Sequence, residues 1–262
     1  MNILKKNFGK RKQLFEIQDF PSCPKVVRDG VTDLLVLNLK IVPIYAPVIP
    51  WLSKFAKITN GHWVDLCAGA GGGSLILKEK LPGQIKKLIL TDLYPHEPKN
   101  ILPENVIAYQ KPVDARNVPI ELKGFRTLFT SFHHLNDQVA LEVLKNAMNT
   151  NTPLGIFEFT DRSIYCLLLM LPSFFTSFFL IPFIRPWKLS RFFWTYFIPL
   201  IPIVTLIDIT LSCFRTRNVE EMNTLLSEIK SENYKWENGK IPTYFGLSIT
   251  YTIGLPTEVG DK

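Results

Sequence analysis

The chain is short of cysteine and histidine, and neither residue is grouped. Its four cysteines are Cys23, Cys67, Cys166 and Cys213. None forms a C-x-x-C pair, and none lies near a histidine at a zinc-like spacing. A disulfide framework and a metal site are therefore not expected. Reduced thiols in a cytoplasmic setting are the simplest reading. Of the four histidines, His62 and His96 are expected in loops with no ligand cluster around them. The basic start M-N-I-L-K-K-N-F-G-K-R-K has no apolar segment after it, and Glu16 and Asp19 interrupt the next stretch, so no secretory signal is expected. No repeat of solenoid period is present. Charged residues make up only 20% of the 262 positions against 47% hydrophobic, which excludes a disordered chain.

What is there is an unusual pairing. The mean hydropathy is +0.12 and the isoelectric point is about 9.2. Thirty Lys and Arg against 23 Asp and Glu give a net charge of +7. That combination points to nucleic acid, an anionic membrane surface or an acidic ligand. The hydrophobic excess is local, because nine of the 19 Phe fall between Ile164 and Phe214.

Strand and helix patterns alternate through the middle of the chain. The apolar run at 63–67 ends in Gly69, Gly71, Gly72 and Gly73, and a helix follows over 74–80, closed by Pro82-Gly83. Further strands are predicted at 87–91, 106–110, 127–131 and 154–159, with a helix over 137–148. These spacings indicate βαβ units and a doubly wound, mostly parallel α/β sheet. A helix over 219–230 and two strands at 234–237 and 247–253 add a C-terminal antiparallel hairpin, for seven strands in all. Ahead of the core, proline-broken stretches with helices at 31–42 and 51–58 form an N-terminal helical cap.

An acid ending the first strand, then glycines, then a helix, builds a ligand site at the carboxyl edge of the sheet. Glycines let the backbone approach the ligand, and the helix start presents free N–H groups. Asp92 ends the second strand, where a carboxylate accepts two hydrogen bonds from a ribose diol. The pairing suits an adenosine-containing cofactor. Two classes compete. The dinucleotide pattern G-x-G-x-x-G is met by Gly69-Ala70-Gly71-Gly72-Gly73-Ser74, with Ser74 in place of the third glycine. Against a nicotinamide cofactor stands Asp65, which suits a positively charged amino group and not a pyrophosphate.

The run V-D-L-C-A-G-A-G-G-G resembles the first motif of class I S-adenosylmethionine-dependent methyltransferases: an acid, three residues, Gly, one residue, Gly. Asp65, Gly69 and Gly71 match it, and Cys67 stands where a further glycine is usual. L-I-L-T-D is similar to the strand whose acid, here Asp92, binds the ribose. Val113-Asp114-Ala115 is similar to the pair beside the adenine, F-T-S-F-H-H-L lies where the acceptor-side motif sits, and the final hairpin resembles the reversed seventh strand. The resemblance covers roughly residues 61–160 and 218–262. It implies an enzyme with a Rossmann-like core that uses S-adenosyl-L-methionine. It also implies cofactor contacts from Asp65, Cys67, Ala68, Gly69, Gly71, Asp92, Leu93, Asp114, Ala115 and Ser131.

On the acceptor side, methyl transfer from a sulfonium needs mainly proximity and orientation. A hydroxyl or ammonium acceptor also needs a base, and imidazole titrates in a suitable range. His133 and His134 are the candidate catalytic residues, with loop packing as the alternative. Glu158, Asp161 and Arg162 follow strand five, where they line the acceptor pocket or form an ion pair and a helix cap.

Residues 164–184 carry no charge and are long enough to cross a bilayer, and 192–207 form a second uncharged run. Pro172, Pro182, Pro199 and Pro202 interrupt them, the second is short, and the connector holds Arg185, Lys188 and Arg191, contrary to the positive-inside preference. An apolar helical insertion that forms a lid or meets one leaflet fits better, with a buried cap or dimer interface as the alternative. The expected organisation is a cap (1–60), a cofactor-binding core (61–163), the insertion (164–217) and a closing helix and hairpin (218–262). The expected activity is methyl transfer to a small hydrophobic or lipid-like acceptor, in the cytoplasm or peripherally on the inner face of the membrane. The alternatives are a non-catalytic, membrane-peripheral cofactor-binding protein and a nicotinamide-dependent reductase. Nucleic acid is not an expected partner, because the fourth-strand motif lacks the Asp/Asn-Pro-Pro-aromatic pattern of base-amine methyltransferases. The oligomeric state stays open.

Overall fold

The computed structural model describes residues 4–95 and 102–257. In chain order the helices are α1 (Lys25–Ile41), α2 (Ile49–Ile58), α3 (Gly72–Glu79), α4 (Asp137–Asn149), α5 (Ile164–Met170), α6 (Ser173–Leu180), α7 (Leu189–Phe192), α8 (Leu200–Arg215) and α9 (Val219–Ser227). The strands are β1 (His62–Asp65), β2 (Lys87–Leu90), β3 (Val106–Ala108), β4 (Phe125–Phe129), β5 (Leu154–Glu158), β6 (Tyr234–Pro242) and β7 (Ser248–Pro256). They divide between two compact units, Ile44–Phe159 with Asn218–Lys262, and Met1–Pro43 with Thr160–Arg217.

The first unit holds one sheet of order β3-β2-β1-β4-β5-β7-β6. The first five strands run parallel, and β7 inserts antiparallel between β5 and β6. This is the mostly parallel seven-stranded sheet with a reversed hairpin that the sequence led us to expect. Its central strands β1, β4 and β5 are almost wholly buried, as strands covered on both faces must be. One core packs Val64, Leu66, Ile89 and Leu128 against Ala140 and Leu144 of α4 and Leu225 of α9. Side-chain caps fix two of these helices: Asn136 accepts from the Val139 N–H at 2.9 Å, and Asn218 forms a reciprocal capping box with Glu221.

Each strand's bounds differ by one or more residues from the sequence reading, and β4 and β6 show why. β4 starts at Phe125 because Gly124, at φ 133°, turns the chain against β1, where a Cβ would lie 2.4 Å from the His62 carbonyl oxygen. It ends at Phe129, since Thr130 takes a left-handed conformation with φ 44°. β6 runs on through Asn238-Gly239 to Pro242. The Tyr251 ring lies over Gly239, and its hydroxyl donates to Glu237 at 2.9 Å, so this glycine extends the strand instead of turning it.

The second unit is helical. Cys23, Val27, Val31 and Leu34 meet Ile181, Ile184, Ile201 and Val204 in its core. Gly30 lets α1 and α8 approach closely. Buried charges are paired inside it: Arg191 donates to Asp33 at 2.5 Å, and Arg215 donates to Asp19 at 2.7 Å and lies 3.4 Å from Glu16. Asp208 on α8 accepts the Ile17 and Gln18 N–H groups. The helical run Ile164–Phe183 is long and apolar enough to cross a membrane by length and composition, and few of its residues are buried. The second apolar run breaks at Ile198-Pro199, and Leu200–Arg215 leaves Leu189–Phe197 at 76°.

Candidate active site

The site is built where parallel strands end, at the carboxyl edge of the sheet. β1 ends in Asp65, which is 3% exposed. Its Oδ1 accepts from the Thr127 hydroxyl at 2.6 Å, and that hydroxyl accepts from the Trp63 indole N–H at 2.7 Å. The strand pairing that sets Asp65 opposite Thr127 makes this bond possible. Burial pushes the Asp65 carboxyl up to about 7, against the opposing pull of hydrogen bonds from Ser74 and Thr127.

The turn after β1 is tight. Cys67 has φ 52°, Gly69 51° and Gly71 71°. Cys67 thus holds the left-handed conformation that a glycine would take without strain. At Gly69 a Cβ would meet nothing within 4 Å, whereas at Gly71 it would lie 2.7 Å from Leu90 Cδ1. The first glycine therefore borders open space, and the second allows close packing on β2. Helix α3 starts without a side-chain cap, leaving its first N–H groups facing the turn.

Asp92 follows β2 and ties the turn down. Its Oδ2 accepts the Gly69 N–H and its Oδ1 the Tyr94 N–H, both at 2.9 Å. Its backbone carbonyl accepts the Val113 N–H at 2.9 Å, which draws in the segment after β3. Asp114 is held there by Arg116, whose guanidinium keeps its carboxyl below the usual range. The charges of Asp92, Asp65 and Asp114 all act on Cys67, whose thiol burial pushes up to about 12. Three carboxylates therefore converge on one glycine turn. Ala115 is buried beside them and Leu93 is exposed.

The acceptor side lies after β4. A 3-10 turn, Phe132–His134, carries both candidate histidines. His133 is 1% exposed; its Nδ1 lies 2.8 Å from Glu158 Oε2, and its backbone N–H donates to Glu158 Oε1 at 3.1 Å. His134 is half-buried, its ring 4.4 Å from that of His133. Ser131 is buried, and its hydroxyl has no hydrogen-bond partner among the described residues. Tyr45 was not legible as a site residue, since it lies in a proline-rich connector. Its buried hydroxyl bonds Thr130, its ring meets Phe129 and Phe159 edge-on, and its pKa is raised by burial and by the charges of Glu158 and Asp65.

Of Glu158, Asp161 and Arg162, only Glu158, the last residue of β5, joins this site. Asp161 accepts the Ser163 N–H at 3.0 Å, and Arg162 donates to the Thr216 carbonyl at 2.6 Å, both within the helical unit. Arg162 is buried and not part of a solvated pair. His62 opens β1 instead of sitting in a loop, and His96 lies outside the described residues. A depression of about 660 Å³ beside His62, Lys86 and Glu104 opens at the amino ends of β1 and β2, away from these acids.

No protein-family model and no curated protein matches the chain. Solved structures give partial likenesses. The plantazolicin methyltransferase BpumL with S-adenosylhomocysteine aligns over 90% of this chain and 91% of its own, at 11% identity and a TM-score of 0.49. The methyltransferase domain of bacterial CtHen1-CN aligns over 79% and 96%, at 11% and 0.45. Human N-acetylserotonin methyltransferase with S-adenosylmethionine aligns over 86% of this chain, at 14% and 0.44, and the match spans 51% of that protein. These likenesses carry no residue correspondence, and the site's chemistry stands on its own geometry.

Proposed function

We propose that the sheet unit binds S-adenosyl-L-methionine and catalyses methyl transfer to a small hydrophobic or lipid-like acceptor. The observation that carries this reading is the convergence of Asp65, Asp92 and Asp114 on the glycine turn. The Asp92 carboxylate on the turn disfavours a pyrophosphate, and the acids together favour a ligand that brings an ammonium group and a ribose diol. The buried Asp65 carboxyl suits the ammonium, Asp92 the diol, and the space beside Gly69 admits the ligand. The unpartnered Ser131 hydroxyl is available to the same ligand. Bound there, the cofactor supplies an electrophilic methyl group.

The remaining chemistry belongs to the chain. Glu158 accepts the Nδ1 proton of His133 and so directs the neutral ring's lone pair to Nε2. That nitrogen takes the proton of an acceptor hydroxyl or ammonium, and Glu158 offsets the imidazolium charge that forms. Phe129, Phe157 and Tyr45 pack on one another beside this edge, an apolar wall consistent with a hydrophobic acceptor.

The test is incubation with methyl-labelled cofactor and a host lipid extract, read by mass spectrometry. A labelled product from the wild type, absent with Asp92→Ala, supports the reading. Tight S-adenosylhomocysteine binding without any labelled product supports a non-catalytic cofactor-binding protein instead.

A further inference from the structure

The helical unit carries the excess basic charge and most of the exposed large hydrophobic side chains among the described residues. Residues 1–43 and 160–217 contain 14 Lys and Arg against 6 Asp and Glu, a balance of +8, whereas the full chain carries +7. The sheet unit is thus close to neutral. Each of those six carboxylates is engaged: Glu16 and Asp19 by Arg215, Asp29 by Lys25, Asp33 by Arg191, and Asp161 and Asp208 by backbone N–H groups. No acid lies between Asp161 and Asp208 in sequence.

The run Ile164–Phe183 has two unlike faces. Cys166, Met170, Ser177 and Ile181 are buried. Ile164, Leu168, Leu171, Phe175, Phe179 and Phe183 recur at helical spacing and are 44–72% exposed. An unbroken apolar stripe of this length is far more than scattered surface residues explain. At its end Trp187 is 63% exposed, with the Arg185 guanidinium 3.7 Å from its ring centre, and Lys188 follows.

We propose that this stripe seats the protein on a membrane surface rich in anionic lipid. The helix lies in the plane of the interface, the stripe in the acyl boundary, Trp187 at the headgroup level and Arg185 and Lys188 on lipid phosphates. The orientation follows from the faces: the opposite side of the run packs on α8, which carries the buried Asp208 and Arg215. Only one side is therefore open to lipid. Docking is independent of cofactor chemistry, so it stands or falls apart from the methyl-transfer reading.

The test is co-sedimentation of the full chain with phosphatidylcholine vesicles, with and without phosphatidylglycerol. The wild type is expected to bind the anionic vesicles and to be released by raised salt together with alkaline carbonate. Phe175→Ser/Phe179→Ser changes two exposed positions, so the fold is kept (checked by circular dichroism), and vesicle affinity falls at least about tenfold. Arg185→Gln and Lys188→Gln each remove about fivefold of the anionic preference. Equal sedimentation of the double variant and the wild type, or no binding to either vesicle, overturns the proposal. Retention by native membranes after carbonate also overturns it, in favour of a spanning helix.

Discussion

Asp65 carries the sharpest consequences at the scale of one residue. An acid whose pKa is higher folded than unfolded stabilises the fold while protonated. Its contribution is complete below about 4 and is lost as the pH rises through about 7. Asp65→Asn is therefore expected to melt higher than the wild type at pH 8, with the gap closing towards pH 4, in calorimetry across that range. An ammonium group placed beside it favours the carboxylate, so wild-type affinity for S-adenosylhomocysteine, through its amino group, rises with pH up to about 7. The Asn variant loses that slope and roughly 10- to 100-fold of affinity. Cys67 makes a second prediction. Its left-handed backbone costs about 1–2 kcal/mol that glycine avoids, while its thiol packs beside the core. Cys67→Gly is expected to bind the cofactor within a few-fold of the wild type, and a marked loss would give the thiol a role of its own. With its pKa pushed to about 12, the thiol should resist alkylation at pH 8.

The turn and the strands it joins act as elements. Gly71→Ala meets Leu90 as well as an unfavourable φ, so it should destabilise the protein by about 1–3 kcal/mol and weaken cofactor binding. Gly69→Ala has the strain without the contact and should cost less stability, which denaturant titration separates. This difference was not visible in the motif, where both glycines read alike. What was legible is the set of groups that local pattern determines: Asp65 and Asp92 at strand ends, the glycines before α3, and His133 after β4. What was not legible depends on contacts distant in sequence. Thr127 is a site residue only because β4 lies beside β1, and Tyr45 only because its connector folds over Thr130. The strand reads as ending at residue 237, and its continuation through Gly239 shows only once the Tyr251 ring from the next strand covers that glycine. Glu158 was ambiguous between pocket and ion pair until His133 was placed 2.8 Å away. Of that dyad, His133→Ala is expected to slow turnover about 100-fold or more with cofactor affinity unchanged. Glu158→Gln should slow it less, because the amide still accepts a hydrogen bond but cannot balance an imidazolium.

At the scale of the molecule, the odd pairing of positive hydropathy with positive charge resolves into a division of labour. The sheet unit is nearly neutral and holds the acid-lined glycine turn, whereas the helical unit holds the excess basic charge and the exposed aromatic stripe. A hydrophobic acceptor and a membrane-docking surface are compatible demands on one chain, and each has its own test above. The central claim is that the acids around Gly69 select an S-adenosyl amino acid over a dinucleotide. Isothermal titration of the wild type with S-adenosylhomocysteine and with NAD tests it most directly. The account predicts saturable one-site binding of S-adenosylhomocysteine that Asp92→Ala abolishes, and no heat with NAD. Binding of NAD with the greater affinity, or S-adenosylhomocysteine binding unchanged in Asp92→Ala, would contradict it.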